Sequence, residues 1–120
     1  MFDWNEFLPL AEQLGGEPDE AAQRSAISRA YYAAFHAARI YVLAKNFYPG
    51  RRRLRHDEVW RALTTDPDPR TAVIGIRGAR LFETRNAADY TAQFPGKIDE
   101  KVEESIGEAR SLIESVRRLT

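Results

Sequence analysis

The sequence has no cysteine, one methionine, only two histidines and, of its eighteen basic residues, only three lysines. Each scarcity excludes something. Without cysteine there is no disulfide, no thiol nucleophile and no thiolate metal site, and two histidines are too few for a histidine-rich metal centre. No metal and no cofactor are therefore expected. Charge of either sign is not in excess, since 18 basic and 18 acidic residues cancel, so no global field draws the chain to nucleic acid or lipid and local patches must be judged alone. No apolar run approaches the ~20 residues of a membrane span, and the start, MFDWNEF, is acidic where a signal peptide is basic. The expected location is the cytoplasm, with no membrane partner. Alternating strand patterns and internal repeats are absent as well.

What is present is arginine and helical periodicity. Fifteen arginines favour planar, forked recognition of carboxylate or phosphate over diffuse charge. The stretch Glu20 to Lys45 contains no Gly or Pro and is dense in alanine, which predicts one unbroken helix roughly 40 Å long at about 1.5 Å per residue. Ile27, Tyr31, Ala34, Phe35, Ala38 and Val42 recur at steps of three and four and form a large apolar face. Ala26, Ala30, Ala33, Ala37 and Ile40 form a second, nearly bulk-free face that lets another helix axis come close. Ser25, Arg29, Tyr32, His36 and Arg39 form a polar line on the third side. A helix covered on two sides is the centre of a bundle.

The other elements follow in order. Asp3 and Glu6 have the form of a capping box bracketed by Phe2 and Phe7, which starts a first helix over about 4–14. Gly15-Gly16 ends it, and Pro18 is expected in the first turn of the long helix. Pro49-Gly50 and the arginines that follow form a loop. A short helix over 56–63 turns Val59, Trp60 and Leu63 inward. Asp68 caps a fourth helix with Pro69 as its first residue, running to Tyr90 and burying Val73, Ile74, Ile76, Leu81 and Phe82. A fifth runs from Ile98 to Leu119 with Val102, Ile106, Ala109, Leu112, Ile113 and Val116 on one stripe. The expected fold is all-α, one domain over 1–120, an antiparallel up-and-down bundle of four to five helices with short connections.

The most unusual local sequence is ArgAsnAlaAlaAspTyr at 85–90. The stem of Arg85 lies at the edge of the apolar face, and Asp89 stands near the negative end of a helix dipole, so something must compensate its charge. Two readings are open: an Arg85–Asp89 pair within the helix, or Arg85, Asn86 and Tyr90 pointing into a groove against the polar line. Arg29 and His36 lie two turns apart on one face, where hydrogen-bonded bundle residues are commoner than catalysts. Arg51, Arg52, Arg53 and Arg55, beside Phe47 and Tyr48, form either a solvated loop or a nucleic-acid backbone contact with neighbouring rings for bases.

Taken together, SerAlaIleSerArgAlaTyrTyrAlaAlaPheHisAlaAlaArg at 25–39, His56 opening a short helix, and Arg85 to Tyr90 ending a later one resemble the HEPN superfamily, small helical bundles named for nucleotide binding in higher eukaryotes and prokaryotes. The resemblance covers most of the chain from Ser25 to Tyr90. It implies a homodimer that binds RNA or a nucleotide within a toxin–antitoxin or phage-defence module, either as a metal-independent ribonuclease or as the non-catalytic partner of a nucleotidyltransferase. Active members carry an Arg, often followed by Asn, and then a His; Arg85 and Asn86 fit, and Tyr90 stands where the His is expected. Tyrosine, with a reference pKa near 10 against about 6.5 for histidine, is a poor proton acceptor at neutral pH, so weak or no cleavage is expected. The candidate catalytic set is Arg85, Asn86 and Tyr90. The candidate phosphate or nucleic-acid set adds Arg29, Tyr32, His36, Arg51, Arg52, Arg53, Arg55 and Asp89. A third reading is a bundle whose polar line is purely structural.

Overall fold

A computed structural model describes residues 1–45, 47–50 and 53–120. A 3-10 turn at Trp4–Glu6 leads into α1 (Phe7–Gly15), followed by α2 (Glu20–Ala44), α3 (His56–Thr64), α4 (Pro69–Tyr90) and α5 (Ile98–Leu119). Among the described residues there is no strand, and the fold is an all-α bundle. α2 touches all four other helices, while α3 lies across α4. This follows from its two packing faces. Ile27, Tyr31, Ala34, Phe35, Ala38 and Val42 are all buried, as are Ala26, Ala30 and Ala33. Each fully buried large side chain, such as Ile27, Leu63 or Leu112, contributes about 1.5–3 kcal/mol relative to exposure.

Carboxylates cap α2 and α4. Asp19 Oδ2 accepts from the Ala22 amide at 3.2 Å, and Asp68 Oδ1 accepts from the Arg70 amide at 3.0 Å with Pro69 in the first turn. Pro18 stands outside α2, one residue before the Asp19 cap, because the cap needs extended backbone that the helix cannot share. Asp3 caps by accepting from the Asn5 amide at 3.0 Å, and Phe2 meets Phe7 at 5.4 Å between ring centroids. The returning carboxylate of a capping box is found at α3 instead, where Glu58 Oε1 accepts from the Arg55 amide at 2.9 Å.

Two expectations about burial are corrected. Val73 and Ile76 are exposed, because α4 meets its neighbours through Thr71, Ile74, Gly75, Gly78, Leu81, Arg85 and Ala88. The two glycines let α3 approach so closely that they fix the buried stripe one position away from the two β-branched residues. Ile40 is also exposed, at the far end of the small-residue face. No described helix is long and apolar enough to cross a membrane.

Candidate functional site

Arg85 lies at the meeting of α4 and α2, with its side chain only 9 % exposed. Nη2 donates to the Tyr32 hydroxyl at 2.6 Å and Nη1 to Asn86 Oδ1 at 3.1 Å. Nε is 2.8 Å from Asp89 Oδ2, a charge contact by distance, yet its N–H is not aimed at the oxygen and has no hydrogen-bond acceptor among the described residues. The guanidinium carbon also sits 5.0 Å from the Tyr32 ring centroid and 5.7 Å from those of Tyr31 and Tyr90. The helix-end carboxylate is thus compensated twice, since Asp89 Oδ2 accepts from Ser28 Oγ at 3.1 Å as well. Both readings of the 85–90 sequence hold in part: Arg85 pairs with Asp89, and its fork reaches the polar line of α2.

Beneath this arginine runs a chain of hydrogen bonds. Trp60 Nε1 donates to the Tyr31 hydroxyl at 3.0 Å, and that hydroxyl lies 2.6 Å from His56 Nδ1. Burial pushes the Tyr31 phenol well above its ordinary range, so it keeps its proton, and since its oxygen already accepts from Trp60, Nδ1 is the acceptor within reach of that proton among the described residues. The His56 proton is then on Nε2. Burial first, and then the Arg85 charge, lowers the His56 pKa and keeps the ring neutral. Its faces lie against Phe35 at 4.0 Å and Phe82 at 5.2 Å.

The outer wall of the site is aromatic. Trp4 stacks on His36 at 3.6 Å and 17°, His36 lies 6.1 Å from Tyr32 at 21°, and Phe7 approaches Tyr32 at 6.4 Å. Arg29 Cζ sits 5.3 Å from the Phe7 centroid and 5.7 Å from that of Tyr32. No carboxylate pairs with Arg29 among the described residues. Trp4, Phe7, Arg29, Tyr32, His36 and Asn86 are all half-buried, with edges open to solvent.

The structure therefore brings together Arg85, Asn86, Asp89, Tyr32, Arg29 and His36, with Tyr90 at the rim. His36 takes its hydrogen bond from Arg39 Nε at 3.1 Å rather than from Arg29. Tyr90 is 75 % exposed, and its hydroxyl has no partner among the described residues. Arg55 is turned to Asp57 at 3.1 Å and Arg53 is exposed in the loop; Arg51 and Arg52 fall outside the described residues. Sequence reasoning missed four contributors. Trp4 and Phe7 belong to a segment read only as a helix start, and Ser28 lies one position off the polar line. Arg24 was also missed: it donates to the carbonyls of Ala88 (3.0 Å), Thr91 (2.6 Å) and Ala92 (2.9 Å), holding the end of α4 in place.

Two surface grooves, of about 470 Å³ beside Trp4 and Ile40 and about 450 Å³ between α4 and α5, do not include Arg85. Among the described residues no cluster of three or more His, Asp or Glu is placed to hold a metal ion. No family model, no curated protein and no solved structure matches the chain.

Burial first, then the Arg39 charge, pushes His36 down to about 4. In the unfolded chain the same ring takes a proton near pH 6.5, so the unfolded state binds more protons between pH 6.5 and 4. Stability from this group is full above pH 6.5 and is lost as pH falls toward 4. Because the ring is half exposed, the expected loss is only about 1–2 kcal/mol after solvent screening. Urea midpoints at pH 7.5 and 4.5 measure it, and His36→Gln, with every carboxylate unchanged, gives the baseline. An equal drop in wild type and variant would show that His36 titrates normally in the fold.

Proposed function

We propose that this chain is a HEPN-like, RNA- or nucleotide-binding bundle of a toxin–antitoxin or phage-defence module, acting in the cytoplasm as a homodimer and binding without cleaving. The observation that carries this reading is the half-open strip Trp4–His36–Tyr32–Phe7 with Arg29 across it and Arg85 beneath. Unpaired bases stack on aromatic faces, contributing about 1–3 kcal/mol each, and guanidinium groups hold the phosphates between them. Arg29 is the cation free to do so, while Arg85 holds Tyr32 and Asn86 in position. Catalysis is disfavoured by the same geometry. Tyr90 is exposed and its hydroxyl has no partner among the described residues to take up a proton from it, and the neutral His56 ring has its Nδ1 lone pair occupied by Tyr31.

The test is titration of a fluorescent single-stranded RNA at two salt concentrations in EDTA. Wild type is expected to bind with salt-dependent affinity and to leave the RNA intact. Arg29→Glu is expected to weaken binding by about tenfold or more, with the helical circular dichroism unchanged. Equal binding by Arg29→Glu removes the site, and EDTA-resistant cleavage lost in Tyr90→Phe removes the non-cleaving assignment. The unbonded Tyr90 also favours the second reading, a non-catalytic partner of a nucleotidyltransferase. A stable complex with a nucleotidyltransferase encoded beside it, in place of RNA binding, would establish that one.

A further inference from the structure

The outward face of α4 has no partner in the fold and carries a self-complementary pattern. Val73, Ile76, Arg80, Glu83, Ala87 and Tyr90 recur at alternating steps of three and four, which places them on one stripe about 26 Å long. None is buried: Val73 is 49 % exposed, Ile76 43 % and Tyr90 75 %. A row of large apolar groups on an exposed stripe marks a contact surface. The charges on the stripe are as unusual as the apolar groups. Arg70 pairs with Asp68, Arg77 with Glu108 and Arg85 with Asp89. Arg80 and Glu83 alone among the charged residues of α4 have no ion pair among the described residues.

We infer that this stripe is the seam between two copies of the chain, packed α4 against α4 in antiparallel fashion about a two-fold axis. The pairs Val73 with Tyr90, Ile76 with Ala87 and Arg80 with Glu83 are each centred on the same point, midway between Leu81 and Phe82. Turning a second copy about that point sets every residue of the stripe opposite its pair at once. Each Arg80 then faces a Glu83 across the axis, each Tyr90 ring lies against a Val73, and each Ile76 fits over the small Ala87. A two-fold interface must be self-complementary in this sense, and antiparallel helices with alternating three- and four-residue spacing pair their positions in this order. The inference deepens the homodimer of the functional reading by naming its surface, and it needs no RNA to be tested.

Light scattering at about 100 µM is expected to give twice the 13.7 kDa chain mass. Arg80→Glu sets glutamate against glutamate and Glu83→Arg sets arginine against arginine. Either change is expected to weaken the dimer by about tenfold or more, and the double variant Arg80→Glu/Glu83→Arg to restore it within about threefold. Both positions are exposed, so circular dichroism should not change. A monomeric wild type, single variants that dimerise as tightly as wild type, or a double variant no better than the singles each overturns the seam. RNA binding is measured separately through Arg29, which is not on the stripe. Its failure therefore leaves the dimer standing, and failure of the dimer leaves the RNA result to be judged alone.

Discussion

Gly75→Ala and Gly78→Ala are each expected to destabilise the fold by about 2–4 kcal/mol, although alanine is the better helix former. A methyl group at residue 75 would stand 2.3 Å from both the Thr64 amide nitrogen and Thr64 Oγ1, and 2.7 Å from the Trp60 carbonyl oxygen. Backbone cannot rotate away, so α3 must move off α4. At residue 78 the methyl would stand 2.1 Å and 2.2 Å from ring carbons of Trp60. That ring is buried, and its Nε1 donates to the Tyr31 hydroxyl, so displacing it breaks the chain that ends at His56. Gly107→Ala is the control of opposite sign. Nothing lies within 4 Å of the added methyl on α5, and the change should stabilise by about 0.5–1 kcal/mol through the helix preference alone. Urea denaturation of the three variants measures all of this; a Gly78→Ala protein as stable as Gly107→Ala would mean that α3 does not cross α4 at these glycines.

The same pair of glycines marks the limit of what the sequence carried. Periodicity placed all five helices and the core of α2, because alanine density and three-to-four spacing are local properties of the chain. It misjudged Val73 and Ile76, since both faces of α4 contain β-branched residues and only contact with α3 decides which is inward. Arg85, Asn86 and Asp89 were legible as a group because a carboxylate at a helix C-terminus demands compensation. Their alliance with Tyr32 was legible only as one of two alternatives. The contributions of Trp4 and Phe7 were not legible, because an aromatic before a helix start reads as a staple until the opposing helix is known. Arg24 was hidden for a similar reason. Its acceptors are backbone carbonyls more than sixty residues away, which no side-chain pattern advertises.

Arg85 carries the other large expected effect, and its burial changes what its replacement should do. On an exposed helix end, an Arg-to-Asp pair is worth about 0.2–1 kcal/mol, and charge reversal would leave the melting temperature nearly unchanged. Here Arg85→Ala removes the donors to Tyr32 and Asn86, the contact with Asp89 and three ring contacts, leaving Asp89 with only Ser28. The expected cost is about 2–4 kcal/mol. Arg85→Glu should cost more, because a second carboxylate would face Asp89 and the electron-rich ring faces that now hold the guanidinium. Arg85→Lys keeps the charge but loses the fork, so one of the two hydrogen bonds remains at best, at a cost of about 1–2 kcal/mol. The order Glu, then Ala, then Lys, read from urea midpoints at pH 7.5, is the signature of a buried cation that positions its neighbours. If all three variants instead melted with wild type, Arg85 would be a surface residue, and the Tyr32 ring would have lost the group that holds it beside Arg29.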